Sequence, residues 1–424
     1  MIVFGLLARR RCYRAAKKST LRPSDRQDRS LLTRAGLGIC GVFGLALLAA
    51  CAGMPRTPFT EADQIAAVPI RPGSLRFWAD SKISAFQNEG RLAVAQEGQP
   101  FTYLALSGGG GGGAFGAGIL NGWTESGKRP EFTVVSGVSV GALIAPFAFL
   151  GSAYDGRLKE IYTNGDAERL ISRPDPIGAI FGSGLFGHGE LRRLISRYID
   201  EEMLEAIARE DRKGRRLLVV TTNLDAQRAM IWDLGAIAVI GGPKAFKLFG
   251  DVLAASASVP VIFAPQLIDT EVFGRRFQEM HVDGSISVPV FTLPDSYLHG
   301  GKTMTSRRAR PDIYIIENGR IEAGFSVVPN QSEAIAAQSF STMNRVGVQA
   351  VVAQTYKTAK KDGIGFHLAY VGRDFPEIGG TGFETDTMRR LYSYGYAKAR
   401  DGAFWSTEPP QIAVAKQTAS ISTP

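Results

Sequence analysis

Apolar residues gather in a few blocks, and their spacing predicts most of the elements that matter. Residues 35–50 (AGLGICGVFGLALLAA) carry no charge, follow a basic stretch and end in small residues. Sixteen residues is short for a membrane-spanning helix, which needs about 20, and suits the apolar region of a secretory signal better; an uncleaved anchor helix is the alternative. Further on, Phe101–Leu106 reads as a strand, ends in Ser107 and six glycines, Gly108 to Gly113, and passes into a helical run, Ala114–Leu120. A second strand with β-branched residues begins at Phe132, reaches Gly137-Val138-Ser139-Val140-Gly141 and turns into a helix of small residues. A third block, Val259–Pro265, precedes Glu279–Ser285, where Asp283-Gly284 marks a strand end. Residues 235–256 open on an apolar stretch whose helical part is expected to pack on a sheet. Internal repeats are absent from the sequence.

Net charge first suggests an anionic partner, at +9 over 424 residues. The excess is local. Residues 1–34 hold ten Lys/Arg against Asp25 and Asp28, and the rest of the chain is close to neutral. A near-neutral body excludes a nucleic-acid partner. All three cysteines, Cys12, Cys40 and Cys51, precede residue 52, so the body contains neither an internal disulfide nor a thiolate metal site.

The chemistry lies at the glycine punctuation. Successive glycines expose backbone N–H groups, and a helix N-terminus behind them adds positive partial charge. Such a nest binds an anion, either a phosphate or a transient oxyanion. The run also satisfies the dinucleotide pattern GxGxxG, a weak signal where six glycines stand in a row. No Gly-Lys-Ser/Thr follows, which excludes a P-loop in this segment. Gly137–Gly141 has the form of a nucleophile elbow, in which a serine projects from a strained strand-to-helix turn and flanking glycines permit the close packing.

A serine hydroxyl needs a base. The four histidines offer little: His188 sits in a glycine-rich run, His299 in a loop-like setting and His367 on an apolar strand-like run. His281 shares a strand face with Asp283 by the period of two, which keeps it as a candidate.

In its order of glycine loop, GxSxG elbow and Asp-Gly, the chain resembles the patatin-like phospholipases, whose catalytic unit is a Ser–Asp dyad. Further likeness lies in Leu106–Gly110 with Gly113–Phe115 and Ala117-Gly118, in Leu185-Phe186 with Leu191–Leu194, and in Ala255–Pro260. The resemblance covers roughly residues 100–320 and is expected to extend to about 400. It implies a three-layer α/β sandwich with a mainly parallel central sheet and the site at the strand ends. It also implies Ser139 as nucleophile, Asp283 as its partner, and an oxyanion hole from the N–H groups of Gly109, Gly110 and Gly111. Gly108, Gly113, Gly137, Gly141 and Gly284 complete the motifs, and no metal or organic cofactor is implied. The family often has Arg or Lys where this chain has Gly112, and Gly or Ala where it has Ser285. The expected function is release of fatty acid from phospholipid, lysophospholipid or related esters. A lipid-binding envelope lipoprotein that keeps the fold without useful turnover is the alternative, motivated by Gly112. Pro176–Phe186, apolar and punctuated by glycine, is expected to form a mobile cap, a membrane-touching surface or an ordinary buried loop.

Leu48-Ala49-Ala50-Cys51 resembles a bacterial lipobox. Residues 1–51 are accordingly expected to be a lipoprotein signal peptide with Cys51 lipidated, though a 34-residue basic leader is long and a start near Leu31 would shorten it. Acylation adds about 0.8 kcal/mol of membrane affinity per buried CH₂. Ala52 after the cysteine favours outer-membrane sorting, placing the protein in the cell envelope facing the periplasm with membrane and lipid ester as its partners. Residues 52–99 are read as a tether, rich in Pro, Thr and Ala over 52–74, with a helical segment. Residues 100–405 are read as the hydrolase domain and 406–424 as a disordered tail.

Overall fold

The structure, a computed structural model, describes residues 56–70, 75–81, 100–172, 184–186, 189–292, 311–376, 382–402 and 404–410. All of these belong to one compact unit. The signal segment with Cys51, most of the Pro176–Phe186 stretch, His188 and His299 lie outside the described residues.

Strands in chain order are β1 (Arg76–Trp78), β2 (Thr102–Leu106), β3 (Val134–Val138), β4 (Gly184–Phe186), β5 (Arg216–Asn223) and β6 (Arg228–Asp233). They are followed by β7 (Val261–Phe263), β8 (Gln266–Val272), β9 (Arg275–Asp283), β10 (Asp312–Ile316) and β11 (Gly365–Ala369). The main helices are α1 (Gly113–Glu125), α2 (Val140–Leu150), α3 (Asp155–Thr163), α4 (Glu201–Arg212), α5 (Leu234–Ile240), α6 (Gly242–Ser256), α7 (Ser332–Asp362) and α8 (Thr385–Arg400).

The central sheet runs β1-β6-β5-β3-β2-β10-β11. Its core, from β5 through β3, β2 and β10 to β11, is parallel, as expected from βα units. An antiparallel flank of β6, β1, β9 and β8 completes it. The parallel strands β2 and β3 are buried along their whole length and are mostly apolar, Thr102 and Ser136 being their polar residues besides the Tyr103 hydroxyl. Leu104, Leu106 and Val135 face a helical layer containing α1, α2, α4, α5, α6 and α8. Tyr103, Ala105 and Val138 face the opposite layer, built from the C-terminal half of α7 and the Val290-Phe291 segment. This is the expected three-layer α/β sandwich.

Two details go beyond the sequence reading. Helix α1 lies against α8 at backbone contact: a Cβ on Gly118 or Gly122 would stand 2.1 Å from the carbonyl oxygen of Tyr392 or 2.2 Å from that of Tyr396. At the other end, Ser406, where the sequence places the start of a tail, bridges to Leu368 of β11 through two 2.8 Å backbone hydrogen bonds. Beside it Trp405 packs on Trp123 and Tyr314, so the chain remains docked to the sheet at least that far.

Candidate active site

The edge of β5 explains how two residues 144 positions apart come together. Residues Arg216–Val220 of β5 pair with β3, which ends at Val138 opposite Val220. The next residue, Thr221, pairs with Asp283 of β9, which runs antiparallel along Thr221–Asn223. Strand β9 therefore takes over the edge that β3 vacates, and the two strands meet end to end. Ser139 leaves one of them as Asp283 ends the other. The Ser139 hydroxyl donates to Asp283 Oδ2 at 2.6 Å, with both residues buried.

Ser139 occupies φ 54°, ψ −124°, a conformation that side chains other than glycine rarely adopt, immediately before α2. The elbow glycines are required by contact. A Cβ on Gly137 would stand 2.4 Å from the Gly141 carbonyl oxygen, and one on Gly141 would stand 2.4 Å from that of Leu106. A Cβ on Gly284 would likewise stand 2.4 Å from the Val220 carbonyl oxygen. The Ser139 N–H donates to Ser256 Oγ (3.0 Å), whose own hydroxyl donates to the Val220 carbonyl (2.6 Å). Asp283 is fixed by its N–H to Ser258 O (2.9 Å) and by the Ser285 N–H to its Oδ1 (2.8 Å). Burial pushes the Asp283 carboxyl up to about 6, while hydrogen bonds from Ser139 and Ser285 pull it back.

The glycine loop crosses in front of this pair. A Cβ on Gly108 would stand 3.3 Å from Ser139 Cβ and closer still to Ser285 Oγ. The N–H of Gly108 is committed to Pro289 O and that of Gly112 to Gly109 O, both at 3.0 Å. Between them, the N–H groups of Gly109, Gly110 and Gly111 make no backbone hydrogen bond among the described residues. Gly109 has φ 148° and Gly110 φ 55°, values that glycine alone adopts without strain. Gly113 opens α1 against Val140 and Tyr162. At Gly112 a Cβ would stand 1.9 Å from the Asn318 carbonyl oxygen, so this loop has no room for the basic side chain expected from the resemblance.

His281 does share the Asp283 face, but its ring nitrogens are engaged elsewhere. Trp232 Nε1–H donates to Thr221 Oγ1 (2.8 Å), so the Thr221 hydroxyl proton is directed to His281 Nδ1 (2.9 Å). The tautomer inferred from this bonding carries its proton on Nε2, facing Glu279 Oε2 at 3.2 Å. Burial lowers the His281 pKa, against the pull of Glu279. Glu279 in turn holds Arg76 of β1 in a two-pronged ion pair, with Nη2–Oε1 at 2.9 Å and Nη1 on Oε2. His367, on β11, stacks on Tyr314 and contacts Asp312 Oδ1 (2.9 Å).

Ser256, Glu279, Asn318 and Arg76 were not singled out in the sequence as individual site residues. Ser256 lies in the Ala255–Pro260 segment, where a serine among alanines at a helix end was the available signal. Asn318 follows the apolar strand Asp312–Ile316, and Glu317-Asn318 is an abrupt polar pair at a strand's C-terminal end.

Residues 104–294 match the family model for patatin-like phospholipases. Among solved structures, VipD from Legionella pneumophila is similar at 12% identity and a TM-score of 0.34, covering 73% of this chain and 69% of that one. The type III effector protein ExoU is similar at 15% identity and a TM-score of 0.18, covering 75% of this chain and 59% of its own. No curated protein matches the sequence. Over residues 104–294 the chain is thus similar to the patatin-like phospholipases, a family of lipid acyl hydrolases.

Proposed function

We propose that the protein is a serine esterase acting on membrane lipid esters, of phospholipase A or lysophospholipase type, with Ser139 and Asp283 as its catalytic pair. One observation carries the reading: a strained serine whose hydroxyl donates directly to a buried carboxylate at 2.6 Å. In the reaction Asp283 takes the hydroxyl proton as Ser139 Oγ attacks the ester carbonyl carbon. The carbonyl oxygen becomes an oxyanion facing Gly109, Gly110 and Gly111, where each amide donor is worth about 10²–10³ in rate. Collapse expels the alcohol, which takes the proton back from Asp283, and leaves an acyl group on Ser139. Water, deprotonated by Asp283, then attacks the acyl carbon and releases the fatty acid. Among the described residues no histidine takes part: His281 is turned toward Thr221 and Glu279, and His367 toward Asp312.

The test is turnover of a nitrophenyl butyrate ester by Ser139→Ala and Asp283→Asn, with circular dichroism as the control for folding. Both variants should fall to background. Activity retained in folded Ser139→Ala would end the proposal. Lipid anchoring at Cys51 in a bacterial envelope, facing the periplasm, is proposed on the lipobox-like Leu48–Cys51 alone. Incorporation of labelled palmitate into a Cys51→Ala protein would contradict it.

A further inference from the structure

Helix α7 is longer than the sheet it covers. Strands β10 and β11 are parallel, so the helix joining them runs back against both and starts at their C-terminal ends. That is the edge where Ser139 follows β3 and the glycine loop follows β2, since both strands run parallel to β10. The part of α7 that packs on the sheet is marked by Val348, Val352 and Ala359, all buried. Residues 332–346, ahead of it, extend about 22 Å at 1.5 Å per residue. The chain leading into them, 322–331, lies alongside: Val328 shares a groove of about 450 Å³ with Ile335, Gln338, Ser339 and Thr342. Together they make a finger in which no described residue is buried. Its root is at the site. Gln349 Nε2 donates to Ile321 O (2.6 Å), and a Cβ on Gly347 would stand 2.9 Å from Pro289 Cγ. The Pro289 carbonyl in turn accepts the Gly108 N–H at 3.0 Å.

The finger is apolar where it is most exposed. Of the eleven large hydrophobic residues exposed in the described chain, six fall on it: Phe325, Val327, Val328, Ile335, Met343 and Val346. Phe325 and Val327 are 88% and 83% exposed, and Ile286, three residues after Asp283, is exposed as well. Such clustering marks a contact surface, where scattered exposed residues would not. On the helix, Ile335, Met343 and Val346 fall within an arc of about 80°, so they present one face. Charge is nearly absent: from Ala323 to Val346 the sequence has Glu333 and Arg345 and otherwise small, apolar, hydroxyl and amide residues.

We propose that residues 322–346 form a finger that lies on an uncharged lipid surface and brings that surface to the edge holding Ser139. The inference rests on the proposed esterase reading, because the lipid layer met by the finger is the source of the ester. An acyl layer accepts apolar side chains without polar partners, and the hydroxyl and amide residues between them suit the headgroup level. With so little charge, attraction to anionic headgroups contributes almost nothing, so a neutral lipid suffices. A second copy of the chain would cover the edge that the ester must reach, whereas a lipid layer carries the ester to it. Among the described residues no helix is long and apolar enough to cross a membrane, so the contact is with a surface.

The experiment uses the full chain with Cys12→Ala, Cys40→Ala and Cys51→Ala, which also removes the acyl anchor proposed at Cys51. Val327→Cys then carries an environment-sensitive nitrobenzoxadiazole label. A control carries it at Lys213→Cys, exposed just before β5 at the opposite end of the strands. With dioleoyl-phosphatidylcholine vesicles the label at 327 should shift to the blue and brighten, equally at low and high salt, while the control stays unchanged. In the unlabelled chain, Phe325→Ser with Val327→Ser should lower hydrolysis of those vesicles at least about tenfold, the worth of one such side chain in an apolar phase. Turnover of nitrophenyl butyrate, a dissolved ester, should stay as it was. Absence of a label response, a response that needs anionic lipid, or equal losses on both esters overturns the proposal. So does a response produced by raising the protein concentration without vesicles, which would mean a second copy. The esterase reading fails separately, through turnover retained in Ser139→Ala whose label still responds.

Discussion

Replacing Arg76 by alanine probes the buried cluster behind the site most directly. Arg76 reaches from the short strand β1 to hold both oxygens of Glu279 on β9, and its guanidinium lies 5.3 Å from the Trp232 ring centre. Both partners are buried, and the Glu279 carboxyl is pulled down from 4.5 to about 2 against its burial, with Arg76 as the largest opposing influence. A lowering of that size favours the folded state by about 3 kcal/mol at neutral pH. Breaking a buried pair from one side costs about 3–5 kcal/mol by general experience, because a charge is left stranded. Arg76→Ala should therefore lose about 3–4 kcal/mol in urea unfolding followed by circular dichroism at pH 7. The pH dependence supplies the sign. A lowered carboxyl stabilises above its unfolded value and loses that contribution as pH falls from 4.5 toward 2, whereas in the variant burial is opposed only by the His281 and Asn223 contacts and the carboxyl moves up. The gap between wild type and variant should shrink between pH 7 and pH 4. Adding Glu279→Leu should restore much of the loss. A cost below about 1 kcal/mol at pH 7, or a gap constant with pH, would refute the reasoning.

Three further outcomes follow from the geometry. The acid limb of kcat/KM should fall tenfold per pH unit below about 6, since Asp283 must be ionised to accept a proton; a profile flat to pH 4 would show that another group is the base. Ser256→Ala removes the acceptor of the Ser139 N–H and the donor to Val220 O, so it should cost about 1–3 kcal/mol and lower kcat by at least about tenfold, read by melting and by ester turnover. Gly112→Ala sets a methyl 1.9 Å from the Asn318 carbonyl, so it should abolish fluorophosphonate labelling of Ser139 or lower the melting temperature by several degrees, and wild-type behaviour would disprove the close contact.

Punctuation made much of the site legible. The run from Phe101 to Leu120 and the run from Phe132 to Ile144 each change period at a glycine cluster, and a strand-to-helix turn is a local event that local residues encode. Asp283 was legible as the end of a strand, but its nearness to Ser139 was not a property of either segment. It follows from β9 pairing with β5 where β3 stops, a long-range register no short window contains. The antiparallel flank was hidden for the same reason. Glu317 and Asn318 show a different limit: two polar residues after an apolar strand normally begin a solvated loop, and only the third dimension reveals that they are buried under another loop. Arg76 lies on a three-residue strand too short to announce itself, and its importance comes from a partner 203 residues away.

Because β9 holds the β5 edge next to Ser139 through the short run of Thr221–Asn223 pairs and the Leu224 N–H to Met280 O bond, Ser139 and Asp283 are joined across a seam and not along a continuous element. Local fraying of those last rungs would part the two side chains while the parallel core stayed intact. Mild heat or low denaturant should then silence the proposed esterase activity well before the bulk of the chain melts, a reversible off state set by that short seam.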